Sequence, residues 1–359
     1  MCKMKIIRLT TFLDYGGIET KMANLSVAED TNNEWIFCAL GKGGGASKTI
    51  AQQNKRVCCF ERKHKIPSLG TIAVLYRFFK KEKPQIVHTA GAEANFHGII
   101  AARLAGVPKI ISEEIGIPAH STLAKLLFSW IYRISNFVVG ESNTVVEFLK
   151  ENYKLPEAKT KVIHNFVLFP KLEAFRNDLF PKDRVNLVSL SRLEAVKNLE
   201  GVLHAVQLLV NESYPIHYHI VGSGTSEASL KKMVHDLAIT EHVTFWGFQE
   251  KPFPFLRSAE VFILNSFSEG FSNSLLEAMY AGTPSLSTQV GAANEILEDG
   301  KNGWVIPVND GMALYEKLKE LLILDKPRLQ QIGLEGQKTV LENYSLQGHL
   351  EKLMELYRK

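Results

Sequence analysis

LNSFSEGFSNSLLEAMYAGTP, residues 264–284, runs without interruption from an apolar strand end through an acidic glycine loop and a helix start to a Gly-Thr-Pro stop. Val261–Leu264 reads as a buried strand and 266–270 as a turn. Ser272, Asn273 and Ser274 are all N-cap residue types, and Leu275, Leu276, Ala278 and Met279 supply a helical apolar face. Gly282 and Pro284 end the helix. A strand that feeds a helix through a glycine loop directs free backbone N–H groups beyond the strand end, which suits an anionic or hydroxyl-rich ligand. Glu269 and Glu277, eight residues apart, suit sugar or ribose hydroxyls, which donate hydrogen bonds to carboxylates. Ser274-x-x-Glu277 fits a capping box equally well, with Glu277 doing no more than satisfying the helix start. Spacing leaves both readings open.

Outward from this stretch, the chain of 359 residues is long for one domain and comfortable for two. Hydrophobic residues at 45% and charged residues at 22% are those of an ordinary globular protein. A net charge of +4 does not call for nucleic acid. Arg62, Lys63, Lys65, Lys80, Lys81 and Lys83 crowd the first quarter, as a solvated face or as a match to an anionic membrane surface. Cys2, Cys38, Cys58 and Cys59 lack metal-ligand spacing and read as small core residues in a reducing compartment. The opening MCKMKIIRLT is too short in apolar run for a signal peptide, and no stretch reaches transmembrane length. The expected location is the cytoplasm, or peripherally the inner face of the membrane.

Short apolar runs at 5–9, 35–40, 56–60, 85–88, 109–112, 137–140 and 161–164 alternate with helical spacing at 66–83, 93–105 and 121–135. Residues 165–185, with two prolines and no period, read as a linker. The alternation restarts with strands at 186–190, 216–221, 243–246, 261–264, 284–287 and 304–307 and helices at 199–211 and 226–238. Strands alternating with helices give an α/β protein with two doubly wound parallel sheets in tandem, and ligands in such sheets bind beyond the carboxyl ends of strands. The helix over 121–135 is expected to pack in a core, with an interfacial helix as the alternative.

Several strand-end residues carry chemistry. Arg192 and Lys197 follow the first strand of the second half and fit a phosphate clamp, or a pair of solvated loop cations. Gly16 and Gly17 occupy the corresponding loop of the first half, where glycine admits a close phosphate or makes an ordinary turn. Gly222-Ser223-Gly224 lacks the third glycine of a dinucleotide fingerprint, so NAD is disfavoured. His88, at what reads as a strand end, fits a sugar contact or proton relay as well as a structural role. Glu113-Glu114 reads as surface charge ahead of an acceptor-hydroxyl site. Asp-x-Asp does not occur anywhere, which disfavours a metal held on paired aspartates.

The order and spacing of these segments resemble the retaining GT-B glycosyltransferases of family 4, the "glycosyl transferases group 1". The resemblance rests on GGIE at 16–19, IVH at 86–88, SRLEAVKN at 191–198, IVGSG at 220–224, FWGF at 245–248, SEGFSNSLLEAMYAGTP at 268–284 and VGAANEILEDGKNGWVIPV at 290–308. It implies two Rossmann-like domains facing a cleft: an acceptor-binding domain over 1–168, a linker over 169–185, a nucleotide-sugar-binding domain over 186–344, and a final helix, 345–359, crossing back to the first.

By the same resemblance, Glu269 lies by the donor sugar and Glu277 takes the ribose. Phe271, Ser272 and Asn273 belong to the loop whose backbone holds sugar hydroxyls, and the Leu275 N–H reaches the phosphates. Arg192 and Lys197 neutralise the diphosphate, Gly16 and Gly17 close on it, Gly222 belongs to the donor side, and the segment around Phe248 receives the base. The implied activity is metal-independent, retaining transfer of a hexosyl unit from a nucleotide-diphosphate sugar, UDP favoured over GDP, to a glycan or lipid-diphosphate acceptor in surface polysaccharide synthesis, with no further cofactor. A catalytically silent nucleotide-sugar-binding relative is the alternative. The family's His-x-His reads His88-Thr89-Ala90, and its glycine before the Arg is Ser191.

Overall fold

In a computed structural model, every residue is described except Met1, Cys2, Tyr15, Thr31, Ala119, Glu173, Ala174 and Arg176, so the reading of Cys2 and part of the 165–185 segment lies outside the described residues. The chain forms two compact units, Met1–Phe166 with Leu346–Lys359, and Val167–Ser345.

The first unit runs β1 (Lys5–Thr10), α1 (Gly17–Ser26), β2 (Glu34–Ala39), α2 (Gly45–Gln52), β3 (Arg56–Cys59), α3 (Leu69–Glu82), β4 (Ile86–Ala90), α4 (Ala92–Ala105), β5 (Lys109–Glu114), α5 (Thr122–Ile134), β6 (Phe137–Gly140), α6 (Asn143–Tyr153) and β7 (Thr160–Val162). Its seven strands lie in the order β3-β2-β1-β4-β5-β6-β7, and all pairs are parallel. Helices cover a parallel sheet on both faces, which is why β4 is buried at every residue.

The second unit runs β8 (Val185–Leu190), α7 (Leu199–Asn211), β9 (Ile216–Val221), α8 (Glu227–Asp236), β10 (Val243–Gly247), α9 (Phe253–Ser258), β11 (Val261–Leu264), α10 (Asn273–Tyr280), β12 (Ser285–Thr288), α11 (Ala293–Ile296), β13 (Trp304–Ile306), α12 (Gly311–Ile323) and α13 (Lys326–Asn343). Its sheet order is β10-β9-β8-β11-β12-β13, again parallel throughout. The chain reverses direction beside its first strand in each unit, between β1 and β4 and between β8 and β11. Those are the switch points where crevices open beyond the strand ends.

The last helix, α14 (Leu346–Arg358), belongs to the first unit and buries Leu350, Leu353, Met354, Leu356 and Tyr357. Two expectations change. The helix over 121–135 packs through Phe128, Ile131, Tyr132 and Ile134, and Leu123, Leu126, Leu127 and Trp130 face outward. The segment read as a linker is packed from Val167 onward: Phe169, Leu172, Phe175, Leu179 and Phe180 join the second unit's core, and Tyr280 Oη donates to Pro170 O at 2.7 Å. Its irregular spacing reflects packing on a curved surface with no regular element to set a period. Short α2 and α6 pass unmarked in the sequence because two to three turns carry too few apolar positions to show a period.

Candidate active site

At the second unit's switch point, the loops after β8 and β11 are clasped together. The Phe267 N–H donates to Val196 O at 2.8 Å, and Asn265 Nδ2 donates to Asn198 O at 3.1 Å. Across that clasp, Lys197 Nζ lies 2.6 Å from Glu269 Oε1, which also accepts from Ser266 Oγ at 2.6 Å. Glu269 Oε2 takes no hydrogen bond among the described residues, so one carboxylate oxygen is fixed and the other is available to a donor. Arg192 is exposed, paired among the described residues only with Glu194 at 3.1 Å. Of the residues picked out in the sequence, Lys197 and Glu269 are thus brought into contact, with Arg192 on the same loop. Ser266 and Glu194 were missed. Ser266-x-x-Glu269 at a strand end is the signal that would have found the first.

The glycines here serve loop packing. A side chain at Gly222, where φ is +138°, would meet Ser191 O at 1.8 Å, and one at Gly291, where φ is +50°, would meet Glu269 O and Gly270 O at 2.5 Å. Gly222 therefore lets the Ser191 backbone lie on it, as Gly224 does for Leu193. The Ser191 hydroxyl is buried and has no partner among the described residues.

Helix α10 begins differently from the sequence expectation. Ser272 is the N-cap, and its Oγ accepts from the Leu275 N–H at 3.4 Å. In this structure the cap engages that N–H. Glu277 sits at the fifth helical position, beyond capping-box reach, so the Ser274-x-x-Glu277 box does not form. The third position is Leu275, which has no carboxylate to offer. Glu277 lies one turn after Asn273, the first residue of the helix, on the same face. It is largely buried without an ion-pair or hydrogen-bond partner among the described residues, and burial pushes its carboxyl up to about 7. Phe271 turns its ring into the core beside Tyr344. Phe248, just past β10, is 68% exposed. Among the described residues no hydrogen bond or ion pair joins Phe248 or Glu277 to the Lys197–Glu269 pair.

In the first unit, His88 is not at a strand end: β4 continues to Ala90, and the imidazole is fully buried. Its Nδ1 accepts from Arg8 Nη1 and from Tyr357 Oη, both at 2.7 Å, and its Nε2 lies 3.2 Å from Glu113 Oε2. The Arg8 N–H at Nδ1 assigns the neutral Nε2–H tautomer, in which Nε2 makes no hydrogen bond among the described residues. Burial, with Arg8 beside it, lowers its pKa to about 4. Glu113, expected at the surface, is buried and bonded to Arg8 Nη2 at 2.6 Å and Lys21 Nζ at 2.5 Å, and Lys21 also reaches Glu141 Oε1 at 2.6 Å. Burial alone would raise the Glu113 carboxyl, but Lys21 and Arg8 hold it well below the usual range. This closed network ties β1, α1, β4, β5 and α14 together and leaves His88 without access to a substrate.

A cavity of about 420 Å³ opens at the first unit's switch point, lined by Thr11, Phe12, His64, Gly91, Glu93 and Glu114 among others. Gly16 caps α1 and Gly17 opens it, and Ile18 beside them lines the same cavity. Thr11 Oγ1 donates to Glu93 Oε2 at 3.2 Å. Burial raises Glu114 to about 7, against the opposing hydrogen bonds from Tyr132 and Asn95. Glu93 went unnoticed in the sequence, although an acidic residue in the first turn after a strand is a readable sign.

Two doubly wound parallel-sheet units, each with its crevice at the switch point, define the GT-B class of glycosyltransferase. Residues 15–167 match the model of Glycosyltransferase Family 4, and residues 171–339 match Glycosyl transferases group 1. The chain belongs to this glycosyltransferase family. It is 29% identical over 179 residues to the putative glycosyltransferase EpsD of Bacillus subtilis, covering 50% of this chain and 46% of that one. It is 26% identical over 313 residues to the UDP-Gal:alpha-D-GlcNAc-diphosphoundecaprenol alpha-1,3-galactosyltransferase of Escherichia coli, covering 81% and 80%. The chain thus spans about half the length of EpsD and of the Salmonella typhimurium WcaL protein, and most of the Escherichia coli relative. In fold, it is similar to Anabaena HepE, solved in complex with UDP, with a TM-score of 0.85 at 17% identity, covering 98% of this chain and 99% of that one.

Proposed function

We propose that this chain transfers a glycosyl unit from a nucleotide-diphosphate sugar, UDP-linked in preference to GDP-linked, to a glycan or lipid-diphosphate acceptor in cell-surface polysaccharide synthesis, on the cytoplasmic side of the membrane. The observation that carries this reading is the Lys197–Glu269–Ser266 clasp at the second unit's switch point, with Arg192 exposed beside it. The names of relatives add support: the Escherichia coli enzyme is named for a UDP-sugar donor and a diphosphoundecaprenol-linked acceptor.

In this reading, the C1–O bond of the donor breaks and its electron pair stays on the diphosphate. Arg192, Lys197 and the N-terminus of α10 stabilise that charge with no metal required. Glu269, anchored through Oε1, offers Oε2 to a sugar hydroxyl, and Glu277 takes a hydroxyl of the ribose. The acceptor oxygen attacks C1 from the face the diphosphate leaves, its proton passes to a phosphate oxygen, and the anomeric configuration is retained. Glu93 and Glu114 in the first unit's cavity accept hydrogen bonds from acceptor hydroxyls. His88 has no chemical part in this scheme and acts as a positioning residue.

The test is a thermal-shift screen of UDP-, GDP- and ADP-sugars, followed by incubation of the best binder with lipid-diphosphate sugars and mass spectrometry of the products. A stabilising UDP-sugar and a product heavier by one glycosyl residue are expected. If no nucleotide sugar raises the melting temperature, the transferase reading fails. Binding without turnover or donor hydrolysis across a broad acceptor panel would leave the silent relative standing.

A further inference from the structure

Cys38 and Cys58 are directly opposed in the parallel pairing of β2 with β3, so their side chains leave the same face of the sheet. Neighbouring strands lie about 4.7–4.9 Å apart, inside the Cα separation of roughly 4.4–6.8 Å that a disulfide spans. Both cysteines are free thiols, and their sulfurs are hydrogen-bonded to each other. Cys38 is fully buried, whereas Cys58 is half-buried on β3, the edge strand of the sheet, where solvent reaches it. Arg56, two residues before Cys58 and on the same face, hydrogen-bonds the Cys58 sulfur. Its Nη1 and Nη2 also donate to Glu82 Oε2 and Oε1 of α3 at 2.9 and 2.6 Å, which fixes the guanidinium in place. The hydrogen bond from Cys38, helped by the Arg56 charge, lowers Cys58 to about 6 against burial and the Glu82 carboxylate. Burial holds the Cys38 thiol well above its ordinary value, so the proton of the pair rests on Cys38. Cys59, the next residue, turns to the other face beside Gly43, and burial pushes its thiol up. An accessible thiolate touching a second thiol is the arrangement that oxidises readily and closes to a disulfide.

We propose that Cys58 is an oxidation site for hydrogen peroxide and comparably small hydroperoxides, with Cys38 as the thiol that closes the product to a disulfide across β2 and β3. The Cys58 sulfur attacks one peroxide oxygen and the O–O bond breaks. The other oxygen leaves as hydroxide and takes up a proton, which leaves a sulfenic acid on Cys58. The Cys38 sulfur then attacks the Cys58 sulfur. The S–S bond forms as the S–O bond breaks, and the departing hydroxide carries away the Cys38 proton as water. Two thiols are oxidised by two electrons, and hydrogen peroxide is reduced to two waters. A dithiol reductant reverses the bond, which suits a transient modification.

The experiment treats the full chain, carrying Cys2→Ser so that Cys38, Cys58 and Cys59 are its thiols, with a small excess of hydrogen peroxide. The remaining thiols are then alkylated and the peptides mapped by mass spectrometry. Peptides joined through Cys38 and Cys58, lighter by two hydrogens and separated by dithiothreitol, are expected, with Cys59 alkylated. Without peroxide, iodoacetamide labelling of Cys58 is expected to rise with a midpoint near pH 6, well below that of Cys59. Cys38→Ala is expected to strand the sulfenic acid, so that dimedone capture at Cys58 grows at least about tenfold over the parent, and to raise the labelling midpoint. Cys58→Ser is expected to abolish the link and leave Cys38 reduced. An unchanged melting temperature identifies folded variants, and if Cys38→Ala does not fold, the link in the parent chain decides alone. Absence of a Cys38–Cys58 link, a link through Cys59 in its place, or a Cys58 midpoint at the ordinary thiol value of about 8.5 would each overturn the proposal. The readout is thiol chemistry alone, so it stands or falls separately from sugar transfer.

Discussion

Arg8 and Arg192 both belong to the first strand-and-loop passage of their units, and their surroundings could hardly differ more. Arg8 lies inside the sheet at 1% exposure, closed in by Glu113, His88 and Tyr357, whereas the Arg192 side chain is 75% exposed with Glu194 as its partner. The first unit matches two buried cations, Arg8 and Lys21, with two buried carboxylates, Glu113 and Glu141, so little charge is left over for a ligand. The second unit pairs its switch-point cations too, Lys197 with Glu269 and Arg192 with Glu194, but the Arg192 pair lies open to solvent. A closed network supports the fold, and an open one can exchange its partner for a phosphate.

The largest effect that sharpens this contrast is expected in Glu113→Ala. Removing the carboxylate between Arg8 and Lys21 leaves two buried cations facing each other, and is expected to cost about 3–5 kcal/mol in urea unfolding. A loss below about 1 kcal/mol would show that the network contributes little to the fold.

Lys197→Ala and Arg192→Ala are expected to do the opposite. Each lowers nucleotide-diphosphate affinity or transfer rate, the latter on the order of 10²–10³-fold, with a stability change of about 1 kcal/mol or less, because both side chains keep access to water. Affinity unchanged in both variants would remove the clamp from the mechanism.

The smallest effect is a pH dependence. A carboxyl at about 7 in the fold and near 4.5 when unfolded keeps its proton only in the folded chain. Unfolding then releases a proton between those values, so stability falls as pH rises through that window and levels off above it. Glu277→Gln removes this loss and is expected to be more stable than the parent above pH 7 by up to about 3 kcal/mol, with no difference at pH 4. Glu114 titrates in the same window in both proteins and cancels. A constant difference across the range would mean that Glu277 is ionised in the fold and partnered there.

The opening stretch shows how far local pattern reaches. Its strand, turn, helix and Gly282 stop were legible because apolar period and cap chemistry are local properties of the chain. The capping box stays an open alternative in the sequence because three adjacent N-cap residue types leave the helix start undecided by two residues, and Ser272 takes it. Glu113 reads as surface charge, and His88 as a strand-end group with a structural role left open, because a polar residue in a strand gives no sign, in one dimension, of which opposite charges will face it. Their partners come from residues 8, 21 and 357.

By itself the sequence determined the alternation that makes two parallel doubly wound sheets, the ordered motifs of a glycosyltransferase family, and the residues Arg192, Lys197, Glu269 and Glu277. The alternation follows from period along the chain, while the motifs and these four residues as site candidates rest on resemblance to the family. The tertiary structure decided which charges are buried and closed, which loops clasp across the switch points, and that the apolar stripe of α5 faces outward. Those depend on burial and on partners far apart in sequence, and an amphipathic helix reads the same whether its apolar face meets a core or a membrane.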